Sequence, residues 1–167
     1  MPTLIRLEAG RMTMAEDPFT AVADDQSVPQ GDVIISLTRF QSEGEALLSE
    51  GRAVGVRLEP NEEVEALAYD LPRLAVVALA FPKYRDGRAY TSAHLLRERL
   101  GFKGQVRAVG EVLRDQAGFM VRCGFDAFEP ADGASSQEWE HAANRRRHVY
   151  QRAADHRAPA FVEREGA

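Results

Sequence analysis

The stretch Leu74 to Phe81, LAVVALAF, constrains this chain more than any other, because every position in it is apolar. A strand with one face in the core alternates apolar and polar residues. A strand apolar on both sides must be covered on both, as parallel strands in α/β layers are. Four shorter runs accompany it: Val33 to Leu37, Ala53 to Leu58, Val106 to Val109 and Phe125 to Phe128.

The segments between the runs carry helix punctuation. Ser42-Glu43-Gly44-Glu45 reads as a capping box, with Gly51 closing that helix. Asn61 opens a second helix, with Glu62 and Glu63 in its first turn and an apolar stripe of Val64, Leu67, Ala68 and Leu71. Thr91 or Ser92 opens a third, which ends at Gly101. Leu113, Ala117, Met120 and Val121 form a fourth stripe, stopped by Gly124. Ser135 starts the last, with Trp139, Ala142, Ala143, Val149, Tyr150 and Ala153 along one side.

Alternation of strand and helix predicts five right-handed βαβ-type units and a largely parallel sheet. Five units are too few to close an eight-stranded barrel. Two α/β architectures fit: an open doubly wound sheet, or an incomplete half-TIM-barrel-like sheet, which we favour. An incomplete barrel exposes its inner face, so it predicts a homodimer or a stable partner to cover it. Leu4 to Leu7 and Phe19 to Val22 are expected to pair as a small hairpin. The division is then an N-terminal hairpin and linker over 1–30, an α/β domain over 31–157 and a flexible tail over 158–167.

With 167 residues, 44% hydrophobic and 28% charged, the chain suits a single globular domain. Its net charge of −5 argues against nonspecific nucleic-acid binding, which depends on clustered cations. That charge is uneven. Residues 1–70 hold 5 basic and 14 acidic groups, whereas residues 71–126 hold 10 and 5. The basic middle third therefore leaves room for a local anion site. No apolar run reaches the roughly 18 to 20 residues of a membrane span, and no signal pattern opens the chain, so a cytoplasmic protein is expected.

Recognisable catalytic motifs are missing. The sequence has no GxGxxG after a strand, no GxxxxGK[ST], no GxSxG and no HExxH. One cysteine, Cys123, excludes an internal disulfide and a Cys-built zinc site, and its place at a helix C-terminus suits a buried structural thiol. His94, His141, His148 and His156 are scattered; only His141 and His148 fall on one expected helix, too far apart to share an ion without a third ligand. Neither a metal nor a cofactor is expected.

Parallel α/β folds bind ligands beyond the carboxyl ends of their strands. The sequence places Arg39, Glu59, Lys83 to Arg88, Gly110-Glu111, Arg114-Asp115 and Glu129 there. Lys83, Arg85, Arg88 and Arg114 are candidates to hold a small oxyanion, helped by free N–H groups at Thr91 and Ser92. Glu111 or Asp115 could act as a general base if burial raised its pKa. The structural alternative is that Asp86-Gly87 makes a turn and the arginines pair with carboxylates.

The string FPKYRDGRAYTSAHLLRERLGFKGQVRAVGEVLRDQAGFMVRCGFDAF, over residues 81–128, resembles the bacterial family catalogued as domain of unknown function 934. With GDVIISL and GVRLEPNEEVEALAYDLPRLAVVALAF upstream, the resemblance spans about residues 30–130. Members of that family are typically encoded beside sulfite reductase and adenylyl-sulfate reductase, and some carry an oxidoreductase label. The resemblance thus implies a role in assimilatory sulfur metabolism, with a sulfite reductase component as a partner. It supplies no active site. Lys83, Asp86, Gly87, Arg88, Tyr90, Arg97, Arg99, Gly110, Asp115 and Gln116 are the motif positions at which to look for one. Without a nucleotide fingerprint, cluster cysteines or CxxC, autonomous redox chemistry is disfavoured. Two functions follow: a non-catalytic accessory protein of sulfite reduction, or a small-molecule enzyme or oxyanion binder.

Overall fold

The computed structural model describes residues 4–166. Residues 1–3 and 167, at the ends of the expected N-terminal unit and tail, lie outside the described residues. Eight strands form one sheet: β1 (Leu4–Glu8), β2 (Arg11–Ala15), β3 (Thr20–Ala21), β4 (Val33–Ser36), β5 (Val54–Leu58), β6 (Val76–Phe81), β7 (Gln105–Gly110) and β8 (Ala127–Phe128). Their spatial order is β2-β1-β8-β7-β6-β5-β4-β3. From β3 to β8 the strands are neighbours in chain order, and every pairing is parallel. A doubly wound sheet reverses strand order at a switch point. None occurs here, so the sheet is wound one way and curls as a half-barrel.

The LAVVALAF strand lies in the middle of that sheet, with all six β6 residues buried. Val77, Leu79 and Phe81 face the main core, where Phe40 and Leu47 of α1 (Leu37–Ser49), Ala93 of α2 (Arg88–His94), Met120 of α3 (Ala117–Cys123) and Trp139 of α4 (Ser136–Ala143) pack. Val76, Ala78 and Ala80 face the other way, onto Ile34, Val109 and Phe19. Strand parity thus separates a helix-covered outer face from a concave inner one.

What covers the concave face is the chain itself. Residues 16–19 run from the end of β2, at one edge of the sheet, to the start of β3, at the other. In a flat sheet those edges would lie about 33 Å apart, from strand spacings of about 4.8 Å. Five Cα–Cα links span at most about 19 Å. The strap can connect the edges only because the sheet is strongly curled, and Phe19 fills the concavity. The uncovered inner face from which a homodimer was expected is closed within one chain.

The N-terminal hairpin is present, but β1 pairs with β2, Leu4 opposite Ala15 and Glu8 opposite Arg11. The Phe19 to Val22 segment, expected as its second strand, supplies β3 at the far edge. The turn is tight because Ala9 and Gly10 both take positive φ.

Four helix boundaries differ from the sequence reading. α1 begins at Leu37 because the Ser36 hydroxyl accepts the Arg39 N–H at 3.1 Å. Ser42 lies inside that helix, donating to the Arg39 carbonyl at 3.0 Å. The helix expected from Asn61 is instead two 3₁₀ turns, Val64–Leu67 and Leu71–Arg73. The upstream turn is closed by i to i−3 bonds, Ala66 N–H to the Glu63 carbonyl and Ala68 N–H to the Glu65 carbonyl, and Pro72, which has no N–H for the Ala68 carbonyl, bars a helix from running on past Leu71. α2 starts at Arg88, with the Asp86 carboxylate accepting the Arg88 N–H at 3.3 Å, so Thr91 and Ser92 are inside it. It continues as a widened π turn over Leu95–Arg99. α4 starts where expected, with a capping box between Ser135 and Glu138, but ends at Ala143, with Asn144 as its C-cap. Beyond it Val149 turns to an extended pairing with Pro159, and His148 is therefore not on a helix with His141. A short helix, α5 (Ala160–Glu165), follows within the segment read as a tail.

Candidate functional site

Parallel strands β4 to β8 bring their following connections to one rim, and the candidate residues gather there. The loop after β6 holds Lys83, Tyr84, Arg85, Asp86 and Arg88. It is fixed by the loop after β7: Glu111 accepts the Tyr84 N–H at 3.0 Å, and Gln116 Nε2 donates to the Tyr84 carbonyl at 2.6 Å. Gly110 makes this junction possible, since its φ is +98° and a Cβ there would sit 2.4 Å from the Phe81 carbonyl oxygen.

The candidate cations divide into two kinds. Arg88 is turned onto Asp86, with Nε–Oδ1 at 3.0 Å and Nη2–Oδ2 at 2.7 Å, and the guanidinium holds the Asp86 carboxyl below its ordinary range. Arg114 reaches away to Glu138 at 2.6 Å. Each of these two arginines is paired with a carboxylate. Lys83 and Arg85 are exposed and have no ion-pair partner among the described residues. Glu111 and Asp115 are also exposed, so neither has the burial a tuned general base would need. Arg39 binds the linker carbonyls of Ala23 and Gln26, and Glu59 pairs with Arg57 at 2.9 Å.

Other motif positions serve the fold. Arg97 donates to the carbonyls of Phe102, Gly104 and Gly124 and to Asp126, closing the opposite rim. Asp126 also accepts the Val106 N–H at 2.8 Å, while burial pushes its carboxyl above the usual range against the pull of Arg97. Tyr90 packs edge-on against Phe81 and Phe119, with centroids 5.3 and 4.7 Å away. Burial raises its phenol to about 12, so it stays protonated near neutrality. Burial likewise raises the Cys123 thiol, which makes it a poor nucleophile.

The most deeply buried ion-pair cluster among the described residues is one the sequence reading missed. Arg107 lies on the concave face of β7, only 1% exposed. Its guanidinium grips Asp17 of the strap bidentately at 2.6 and 2.9 Å, and reaches Glu129 at 3.1 Å and Gln105 at 2.9 Å. Phe19 lies against the same guanidinium, 5.7 Å from ring centroid to Cζ. An arginine at the centre of the apolar strand QVRAVG was the available signal. Nothing in the sequence identified its partner, 90 residues away. Nε and both terminal nitrogens of Arg107 are engaged by protein groups, so the cluster locks the strap to the sheet.

No group of three His, Cys, Asp or Glu side chains placed to hold a metal ion occurs among the described residues, nor a helix long and apolar enough to cross a membrane. No curated protein matches the chain. A family model described as a bacterial protein of unknown function (DUF934) matches residues 55–161, the span that holds β5 to β8, the fixed rim loops and the Arg97 clamp. By that match across most of its length, the chain belongs to the DUF934 family of bacterial proteins.

Proposed function

We propose that this protein is a non-catalytic accessory protein of assimilatory sulfate and sulfite reduction, acting beside the sulfite reductase. One observation carries the non-catalytic half. At the rim where α/β enzymes place their chemistry, Arg88, Arg114 and Glu111 are each engaged in holding a loop or a helix. The two remaining carboxylate and cation sets, Asp115 and Lys83 with Arg85, are exposed. Acid–base catalysis favours groups set by burial and partners, and the two candidate bases, Glu111 and Asp115, are both exposed. The sulfur half rests on the resemblance of residues 30–130 to proteins encoded beside sulfite reductase.

Gene deletion tests it. Growth on sulfate and on sulfite should fall while growth on sulfide is restored, and sulfite reduction in deletion extracts should recover when purified protein is added back. Wild-type growth of the deletion strain on sulfate would overturn the proposal. The second reading, an oxyanion binder, is favoured by the unpaired Lys83 and Arg85. Calorimetry with sulfite, sulfate and phosphate separates the two: the oxyanion reading expects heat that disappears in Lys83→Ala/Arg85→Ala.

A further inference from the structure

The coil that follows α4 carries a strongly basic face. Residues 144–158 hold 5 basic groups and 1 acidic one, in a chain whose net charge is −5. Arg146, Arg147 and Arg152 are exposed and have no ion-pair partner among the described residues. Carboxylates close by in the chain are already engaged: Asp155 accepts from Arg122 at 2.7 Å, and Glu163 lies 2.8 Å from His148 Nδ1. Arg145 stands apart, lining an open hollow of about 590 Å³ together with Asp115 and Glu138.

This coil has neither helix nor strand of its own, yet its shape is held. Arg157 Nη2 donates to the Arg147 and Arg146 carbonyls at 2.7 and 3.2 Å, fixing the turn that presents the arginines. The Ala160 N–H donates to the Val149 carbonyl at 2.7 Å, which ties the coil to the start of α5. Tyr150, 81% exposed, and Phe161, 58% exposed, lie one and two residues past the Val149–Pro159 bridge. Two exposed rings beside three free guanidiniums match the composition of protein interfaces, where Tyr, Phe and Arg are enriched. A segment already held in shape also loses little entropy on docking.

We infer that this face docks a partner protein whose contact surface rings an apolar pocket with carboxylates. Arg146, Arg147 and Arg152 meet the carboxylates, and Tyr150 and Phe161 fill the pocket. Charge complementarity selects an acidic partner. A nucleic acid fits less well, because it carries charge along its whole length and would also meet the acidic part of this chain, where residues 1–70 hold 5 basic and 14 acidic groups. A protein places its carboxylates at the patch alone. Such docking is independent of the sulfur role.

Fluorescence anisotropy with the full chain tests it, the probe being a labelled peptide of repeated Glu-Glu-Leu. A dissociation constant of about 100 μM or tighter is expected at about 50 mM salt, weakening at least about tenfold at about 500 mM. Arg146→Glu/Arg147→Glu and, separately, Tyr150→Ala/Phe161→Ala should each weaken binding at least about tenfold, with thermal melts like those of the unaltered protein because all four side chains are exposed. A Gln-Gln-Leu peptide should bind the unaltered protein at least about tenfold more weakly, a comparison that needs no variant. Absence of binding at about 1 mM peptide, equal binding of the Gln-Gln-Leu peptide, or the same loss from Lys83→Glu/Arg85→Glu as from the arginine pair would overturn the inference. So would tighter binding of a single-stranded oligonucleotide of equal charge.

Discussion

Arg107 and Asp17 make the sharpest single-residue experiment. Their contact is bidentate, both side chains are nearly inaccessible, and Glu129 shares the charge. Removing one member of a buried pair leaves the other desolvated and uncompensated. Asp17→Ala should therefore lower unfolding free energy by about 3 to 5 kcal/mol in urea melts, far more than loss of an exposed pair such as Arg6–Glu8, at about 0 to 1 kcal/mol. Equal losses from the two would show that the strap is not anchored through Arg107. Gly110 is a second pivot. Its φ is +98°, and an added methyl carbon would come within 2.4 Å of the Phe81 carbonyl oxygen. Gly110→Ala should therefore destabilise by at least about 1 to 3 kcal/mol in the same melts.

Two elements report on whether the architecture is held as described. In β6, Val77 and Leu79 are 0% and 1% exposed in the main core. Leu79→Ala should cost about 2 to 5 kcal/mol, the range for truncating a buried leucine. A loss typical of a surface position would mean that β6 is not central. In α4, the Ser135 N–H and hydroxyl lower the pKa of Glu138. A carboxyl lowered in the folded state stabilises fully above its unfolded pKa, and that contribution disappears as pH falls through the folded value. The start of α4 should thus loosen on acidification below about 4.5, the group's ordinary value, and Trp139 fluorescence should follow it. In Glu138→Gln that acid-dependent component should be absent.

At the scale of the whole molecule, the parallel core was legible because its signal is local: each strand is an apolar run and several helices carry their own caps, as Ser135 and Gly124 do. What was hidden depended on distant partners or on a single residue's veto. The Val64 to Leu71 stripe is carried by two 3₁₀ turns, and Pro72 bars a helix from running on past it, although Val64, Leu67 and Leu71 are still buried. β3 pairs with β4 instead of with β1, a choice that the four-residue strap and the curl of the sheet decide together. The candidate site was half legible: the rim loops meet where parallel topology put them, but side-chain pairing cannot be read from spacing. Arg114 finds Glu138 on another element, a partner its spacing in the sequence did not name.

The pairing of β1 with β8 joins Ile5 to Phe128. Ribosomes deliver the first of these residues long before the second, so the opening hairpin must wait through most of translation for its neighbour. During that interval Ile5 and Met12, buried once the chain is complete, have no permanent place to pack. A nascent chain halted before Ala127 should accordingly be digested at its N-terminal hairpin by added protease, and one released after Phe128 should resist.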